Sequence, residues 1–172
     1  MTTSFHLVVM GVAGSGKTTV ARHLADELDL RFAEADDFHP PANIAKMSGG
    51  APLTDDDRWP WLTALADWMA DQRAAERSTV VTCSALKRSY RDVLRRPVPE
   101  TYFLHLHGDE ELLDARMRAR EHFMPPALLR SQFDTLEPLG RDEHGSTLDV
   151  SPPRDELLGA ATGVVRGLVS SS

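Results

Sequence analysis

The sequence predicts an α/β fold, a five-stranded parallel sheet with helices on both faces. Three observations carry that reading. Short, β-rich apolar runs recur along the chain, amphipathic stretches of helical period lie between them, and a glycine-rich turn joins the first run to the first helical stretch. With 172 residues, 41% hydrophobic and 26% charged, the chain suits one soluble domain over 1–172 with a sizeable core.

Each element has its own signal. Residues 5–10 (FHLVVM) form a continuous apolar run, the mark of a central parallel strand. Val20, Ala21, Leu24, Ala25 and Leu28 recur at helical spacing and predict a helix over 17–29. A short strand is expected at 31–35. Pro40 and Pro41 then interrupt regular structure, and Ile44 and Met47 suggest a short helix ending near Gly49-Gly50. Trp61, Leu62, Leu65, Ala66, Trp68 and Met69 predict a helix over 57–75, with Asp57 as N-cap, Pro60 in the first turn and the tryptophans packed in the core. Residues 78–83 (STVVTC) read as a buried strand and 85–96 as a basic helix. A strand at 101–107 and a helix at 109–121 follow, and a last strand (146–150) and helix (154–169) close the pattern.

The bulk chemistry excludes several roles. A net charge of −7 argues against a broad nucleic-acid surface, which needs an excess of Lys and Arg. Cys83 is the only cysteine, so no intrachain disulfide forms, and a reducing compartment is expected. No stretch approaches the roughly 20 apolar residues that span a bilayer. The run at 5–10 has no preceding basic residue and enters a glycine-rich loop at once. It reads as a strand rather than a signal peptide, and a cytoplasmic location with no membrane partner is expected.

Gly11-Val12-Ala13-Gly14-Ser15-Gly16-Lys17-Thr18 matches G-x-x-x-x-G-K-[ST] between a predicted strand and a predicted helix. That context makes it a phosphate-binding P-loop. Glycines let successive N–H groups turn inward, and the helix N-terminus adds positive potential. Lys17 supplies a charge for the β- and γ-phosphates of ATP, and the Thr18 hydroxyl a ligand for Mg²⁺. The nucleotide set is Gly11, Ala13, Gly14, Ser15, Gly16, Lys17, Thr18 and Thr19. Glu34-Ala35-Asp36-Asp37 follows the second strand, at the end that faces the ligand crevice of a parallel sheet. A carboxylate there can hold a Mg²⁺ water or take the proton of an attacking hydroxyl; the alternative is a loop that only caps the next helix.

Several segments, in order, are similar to the gluconate kinases (gluconokinases) among the shikimate-kinase-like P-loop kinases. They are MGVAGSGKT at 10–18, Asp36-Asp37-Phe38-His39-Pro40, APLTDDDRWPWL at 51–62, CSALKRSYRDVLR at 83–95 and HFMPPALLRSQFDTLE at 122–137. The resemblance spans nearly the whole chain. It implies a P-loop kinase fold with a mobile lid at about 116–137. It also implies ATP- and Mg²⁺-dependent phosphorylation of D-gluconate at its 6-hydroxyl, and a homodimer.

On the same resemblance Asp36 is the acceptor-binding base and Glu34 the outer Mg²⁺ partner, although the family usually has Asp at that first position. Asp37 is a rival for either role. A sugar acid calls for cations and hydrogen-bonding side chains. Arg58, Lys87 and Arg88 are the candidate cations, with His39 and Gln132 for hydroxyls. The alternatives are a solvated basic helix face for Lys87, Arg88 and Arg91 and a simple turn residue at His39. In the lid, Arg120 is the expected clamp on the transferring phosphoryl group and Arg116 the contact near adenine, with Pro152 in the 149–153 turn beside it. Glu121 stands where the family often has Gly, and His122 either touches substrate or packs the lid. His105, His107 and Cys83 read as structural. A shikimate kinase, or a nucleotide-binding module without turnover, are the competing readings.

Overall fold

The computed structural model describes residues 4–119 and 126–170. Five strands, β1 (His6–Met10), β2 (Arg31–Glu34), β3 (Thr79–Thr82), β4 (Tyr102–His107) and β5 (Gly145–Asp149), form one parallel sheet in the order β2-β3-β1-β4-β5. The helices are α1 (Lys17–Leu28), α2 (Pro41–Ser48), α3 (Asp55–Ala74), α4 (Arg88–Arg95), α5 (Glu110–Ala119), α6 (Pro126–Thr135) and α7 (Arg154–Ser170), with a 3₁₀ turn at Ala35–Phe38. The predicted α/β class and every predicted strand are present. No helix of the described residues is long and apolar enough to cross a membrane.

Strand alternation divides the core in two. Leu7 and Val9 of β1, with Leu104 and Leu106 of β4, join Val20, Leu24 and Val165 in one cluster. Val8, Met10, Val81 and Phe103 point the other way and meet Leu62, Leu65, Met69 and Leu94. A strand buried on both faces has no polar side to show, which is why β1 reads as an unbroken apolar run.

Two helix starts differ from expectation. α3 begins at Asp55, and its N-cap is Thr54. The Thr54 hydroxyl accepts the Asp57 N–H and the Asp57 carboxylate accepts the Thr54 N–H, a reciprocal capping box. Pro60 therefore lies in the helix interior, not the first turn. α4 begins at Arg88, because Ala85 takes a left-handed φ of 47° that no helix accommodates.

Arg91 also departs from the solvated-face reading. Its side chain is fully buried, with Nε donating to Glu143 Oε2 at 2.7 Å and Nη2 to Oε1 at 3.0 Å. Arg95 Nη1 reaches the same carboxylate at 2.9 Å, and the Gly140 N–H donates to it at 3.1 Å. Burial alone would raise the Glu143 pKa. The hydrogen bonds from Arg91, Gly140 and Arg95 outweigh that and hold it at about 2.

Because that pKa is depressed, the stabilisation is full above the ordinary glutamate range and is lost as pH falls toward about 2. Glu143→Gln should destabilise by about 3 kcal/mol near neutrality, since it leaves Arg91 buried and unpaired. Urea unfolding from pH 7 to pH 2.5 should show the two proteins converging as the wild type loses its advantage. A pH-independent gap would place the cause in packing.

Candidate active site

The phosphate loop is set by the end of β1 and the start of α1. Gly11 leaves the strand where a Cβ would lie 2.7 Å from the Leu106 carbonyl, so only glycine fits that close approach. Gly16 caps α1 in a left-handed conformation, φ 92°, and no side chain caps the helix. The N–H groups of its first turn are thus left for an anion, and the helix dipole reinforces them. Lys17 Nζ donates to the carbonyls of Gly11, at 3.0 Å, and Val12, at 3.1 Å. Burial lowers its pKa to about 8, an effect that attraction to Asp36 and Glu34 only partly offsets.

Beside Lys17 stands a set of oxygen donors. Thr18 Oγ1 donates to Glu34 Oε1 at 3.0 Å, and Thr82 Oγ1 donates to Oε2 at 3.2 Å. The β2–β3 register places Glu34 opposite Thr82, which explains the second bond. A hydroxyl and a carboxylate next to a phosphate cradle fit a small hard cation such as Mg²⁺.

Two cavities bear on the loop, one lined by its residues and the other reaching it through Gln132. One, of about 210 Å³, is lined by Gly14, Gly16, Thr19, Arg116, Pro152 and Leu157 among others. Arg116 Nη1 donates to the Val150 carbonyl at 2.6 Å and so ties α5 to the turn that carries Pro152. The other, of about 190 Å³, is lined by His39, Arg58, Trp61, Ser84, Tyr90 and Gln132, with Cys83 and neighbours behind. His39 stacks on Trp61 with ring centroids 4.2 Å apart, and Trp61 Nε1 donates to the Ala35 carbonyl at 2.7 Å. That bond pins the 3₁₀ turn carrying Asp36. The Asp36 side chain is 87% exposed, and its Oδ1 lies 3.9 Å from His39 Nε2. Asp37 is exposed on the same turn.

The remaining sequence candidates divide by position. Gln132 lines the second cavity, and its Oε1 accepts the Ala13 N–H at 2.7 Å, so α6 touches the phosphate loop directly. Lys87 Nζ and Arg58 Nη1 both reach Asp55, at 3.3 and 2.9 Å. Arg88 is turned elsewhere: its guanidinium pairs with Asp142 and its N–H donates to Glu137 Oε1 at 2.8 Å. Two acidic partners beyond α6 draw it away from the cavity. Arg120 and His122 lie outside the described residues. Burial pushes the Cys83 thiol up to about 12 and the His105 imidazole down to about 4, leaving both uncharged near neutrality. Sequence reasoning missed Trp61 and Tyr90 as cavity walls. Trp61 sits one helical turn after Arg58, a spacing that was the available signal.

A family model described as an AAA domain matches residues 7–139. The gluconokinase of Gluconobacter oxydans (strain 621H) is 54% identical over 138 residues, covering 80% of this chain and 78% of that protein. The thermoresistant gluconokinase of Escherichia coli (strain K12) is 40% identical, with 92% of each chain covered. This chain belongs to the gluconokinase family. The crystal structure of a gluconokinase from Sinorhizobium meliloti 1021 superposes with a TM-score of 0.88 at 44% identity, covering 99% of this chain and 97% of that one. Within the gluconokinase family, then, the phosphate loop and the cavity it borders belong to a kinase.

The lowered Lys17 pKa has a direct consequence. Burial disfavours the charged amine, so the free protein loses this proton as pH rises through about 8. Nucleotide affinity should be full below pH 8 and fall by up to about tenfold per pH unit above it, because phosphate oxygens need the cation. Lys17→Arg, charged throughout, should bind more weakly but with a flat profile from pH 7 to 9.5. Titration of a fluorescent ADP analogue reads both. A flat wild-type profile would show that Lys17 keeps an ordinary amine pKa.

Proposed function

We propose that this chain, as a single kinase domain, transfers the γ-phosphoryl group of ATP to the 6-hydroxyl of D-gluconate to give 6-phosphogluconate and ADP. The carrying observation is an uncapped phosphate loop bordering one cavity and joined, through the bond from the Ala13 N–H to Gln132, to a second cavity walled by Arg58, His39 and Gln132. The gluconokinase relatives favour gluconate over shikimate as acceptor.

The family resemblance, with the geometry of the described residues, supports the following roles. The first-turn amides of α1 and Lys17 hold the phosphates, and Lys17 meets negative charge as it shifts toward the leaving β–γ bridging oxygen. Thr18 and Glu34 would hold Mg²⁺, which supplies charge neutralisation at the β/γ-oxygens when bound. The 6-hydroxyl oxygen forms the new bond to γ-phosphorus, the bond to the bridging oxygen breaks, and the hydroxyl proton passes to Asp36. Arg58 and Lys87 meet the gluconate carboxylate, while His39 and Gln132 meet hydroxyls. Arg116 and Pro152 bound the adenine side, and Arg120 and His122 act from the lid over 116–137. A cytoplasmic homodimer completes the proposal.

A coupled ADP-release assay across gluconate, other sugar acids and shikimate tests the substrate. Gluconate should dominate, and turnover confined to shikimate would overturn the assignment. ATP binding without ADP release on any acceptor would indicate a non-catalytic module.

The base assignment has its own test. Asp36→Asn keeps the size and one acceptor oxygen but cannot take a proton. It should lower kcat by roughly 10²–10⁴ while ATP binding persists. Asp37→Asn should do much less, and Glu34→Gln should weaken the response to Mg²⁺. A near-normal Asp36→Asn beside a collapsed Asp37→Asn would shift the base to Asp37.

A further inference from the structure

Behind the acceptor cavity lies a carboxylate that the proposed reaction does not itself use. Asp55 occupies the first position of α3, fixed by the Thr54–Asp57 capping box. Its carboxylate takes three donors from three places in the chain. Oδ1 accepts from Arg58 Nη1 at 2.9 Å and from the Tyr90 hydroxyl at 2.5 Å, and Oδ2 accepts from Lys87 Nζ at 3.3 Å. Arg58 and Tyr90 line the cavity, so Asp55 stands behind both without forming its wall.

We infer that Asp55 is a specificity-determining residue, holding the Arg58–Lys87 cluster at a net charge of one so that the pocket favours singly charged sugar acids over doubly charged ones. The inference rests on the gluconate reading of this cavity and deepens it. Hydrogen bonds from Tyr90 first, then Lys87 and Arg58, keep the Asp55 carboxyl below the usual carboxylate range, so it is ionised at neutral pH. Tyr90 is uncharged there, its phenol pushed up to about 12. Nearby Asp57 is paired with Lys46 at 2.5 Å and adds no net charge. Burial lowers the His39 pKa, so the imidazole facing the cavity stays neutral. Arg58 and Lys87 therefore contribute two positive charges and Asp55 removes one. Gluconate brings a single carboxylate to meet the remaining charge. Its phosphorylated product carries more negative charge, and the Arg58–Lys87 cluster, reduced to one net charge, adds little further attraction for it. Without Asp55 the same cations would attract dianions more strongly, and the two cations, no longer bridged by an anion, would repel each other.

The test compares affinities by calorimetry at low salt, where charge effects are least screened. The ligands are gluconate, 6-phosphogluconate and glucarate, the six-carbon dicarboxylic sugar acid. Asp55→Asn keeps the side-chain shape and an acceptor for Arg58 and Tyr90 but removes the charge. Relative to gluconate, it should bind glucarate and 6-phosphogluconate about tenfold more favourably than the wild type does. Lys87→Met shifts the cluster charge the other way and should move the same ratio in the opposite direction, which keeps the test available if Asp55→Asn does not fold. Tyr90→Phe removes a hydrogen bond but no charge and should leave the ratio in place, whereas a merely structural role for Asp55 would make it behave like Asp55→Asn. An unchanged ratio in Lys87→Met and in folded Asp55→Asn overturns the inference. So does an equal shift in Tyr90→Phe. A wild type that neither binds nor phosphorylates gluconate overturns the substrate reading instead, and this inference with it.

Discussion

The buried Arg91–Glu143 pair connects the parts of this molecule that the proposed reaction needs in register. Arg91 Nη1 donates to the Ala85 carbonyl at 2.8 Å, so the ion pair also holds the left-handed residue that turns the chain out of β3 and into α4. That turn forms the floor of the acceptor cavity. The Glu137 N–H donates to the Leu86 carbonyl at 2.7 Å, which ties the chain leaving α6 to the same loop. Two ions in a dry interior are costly unless fully hydrogen-bonded, and here Arg95 and the Gly140 amide complete the set. The arrangement joins α4 to the chain that leads into β5, beside the acceptor cavity.

The electrostatics around Lys17 run in the opposite sense. Here a cation is placed among protein atoms with no bonded carboxylate among the described residues, and its amine turns to the Gly11 and Val12 carbonyls of its own loop. The folded chain carries the desolvation of that charge until phosphate oxygens arrive. A site pre-arranged in this way needs little reorganisation when charge moves during phosphoryl transfer. The direct contact of Gln132 with the Ala13 amide places a side chain of the acceptor cavity on the same loop, so donor and acceptor sides share a wall.

Local chemistry was the most legible part of this sequence. Strands buried on both faces announce themselves as apolar runs, and the phosphate loop needs glycines at positions where a Cβ would collide or φ is positive. The start of α3 was legible too but misread. Thr54-Asp55-Asp56-Asp57 carries a capping-box pattern, and the preference for Pro in a first turn pulled the boundary toward Asp57 instead. Arg88 and Arg91 were beyond local reasoning. On a basic helix both look solvated, yet the partners that decide their fates, Asp142 and Glu143, lie 54 and 52 residues away.

The sequence by itself determined the α/β class, the phosphate loop with Lys17 and Thr18, and the acidic turn with Glu34 and Asp36, because each depends on periodicity or on contacts within a few residues. Only the tertiary structure decided that Trp61 and Tyr90 wall the second cavity, that Arg88 turns away from it, and that Asp55 gathers Arg58, Lys87 and Tyr90 on one carboxylate. Those outcomes depend on which distant side chain wins a given donor, and that competition is resolved only once the sheet has brought the ends of its strands together.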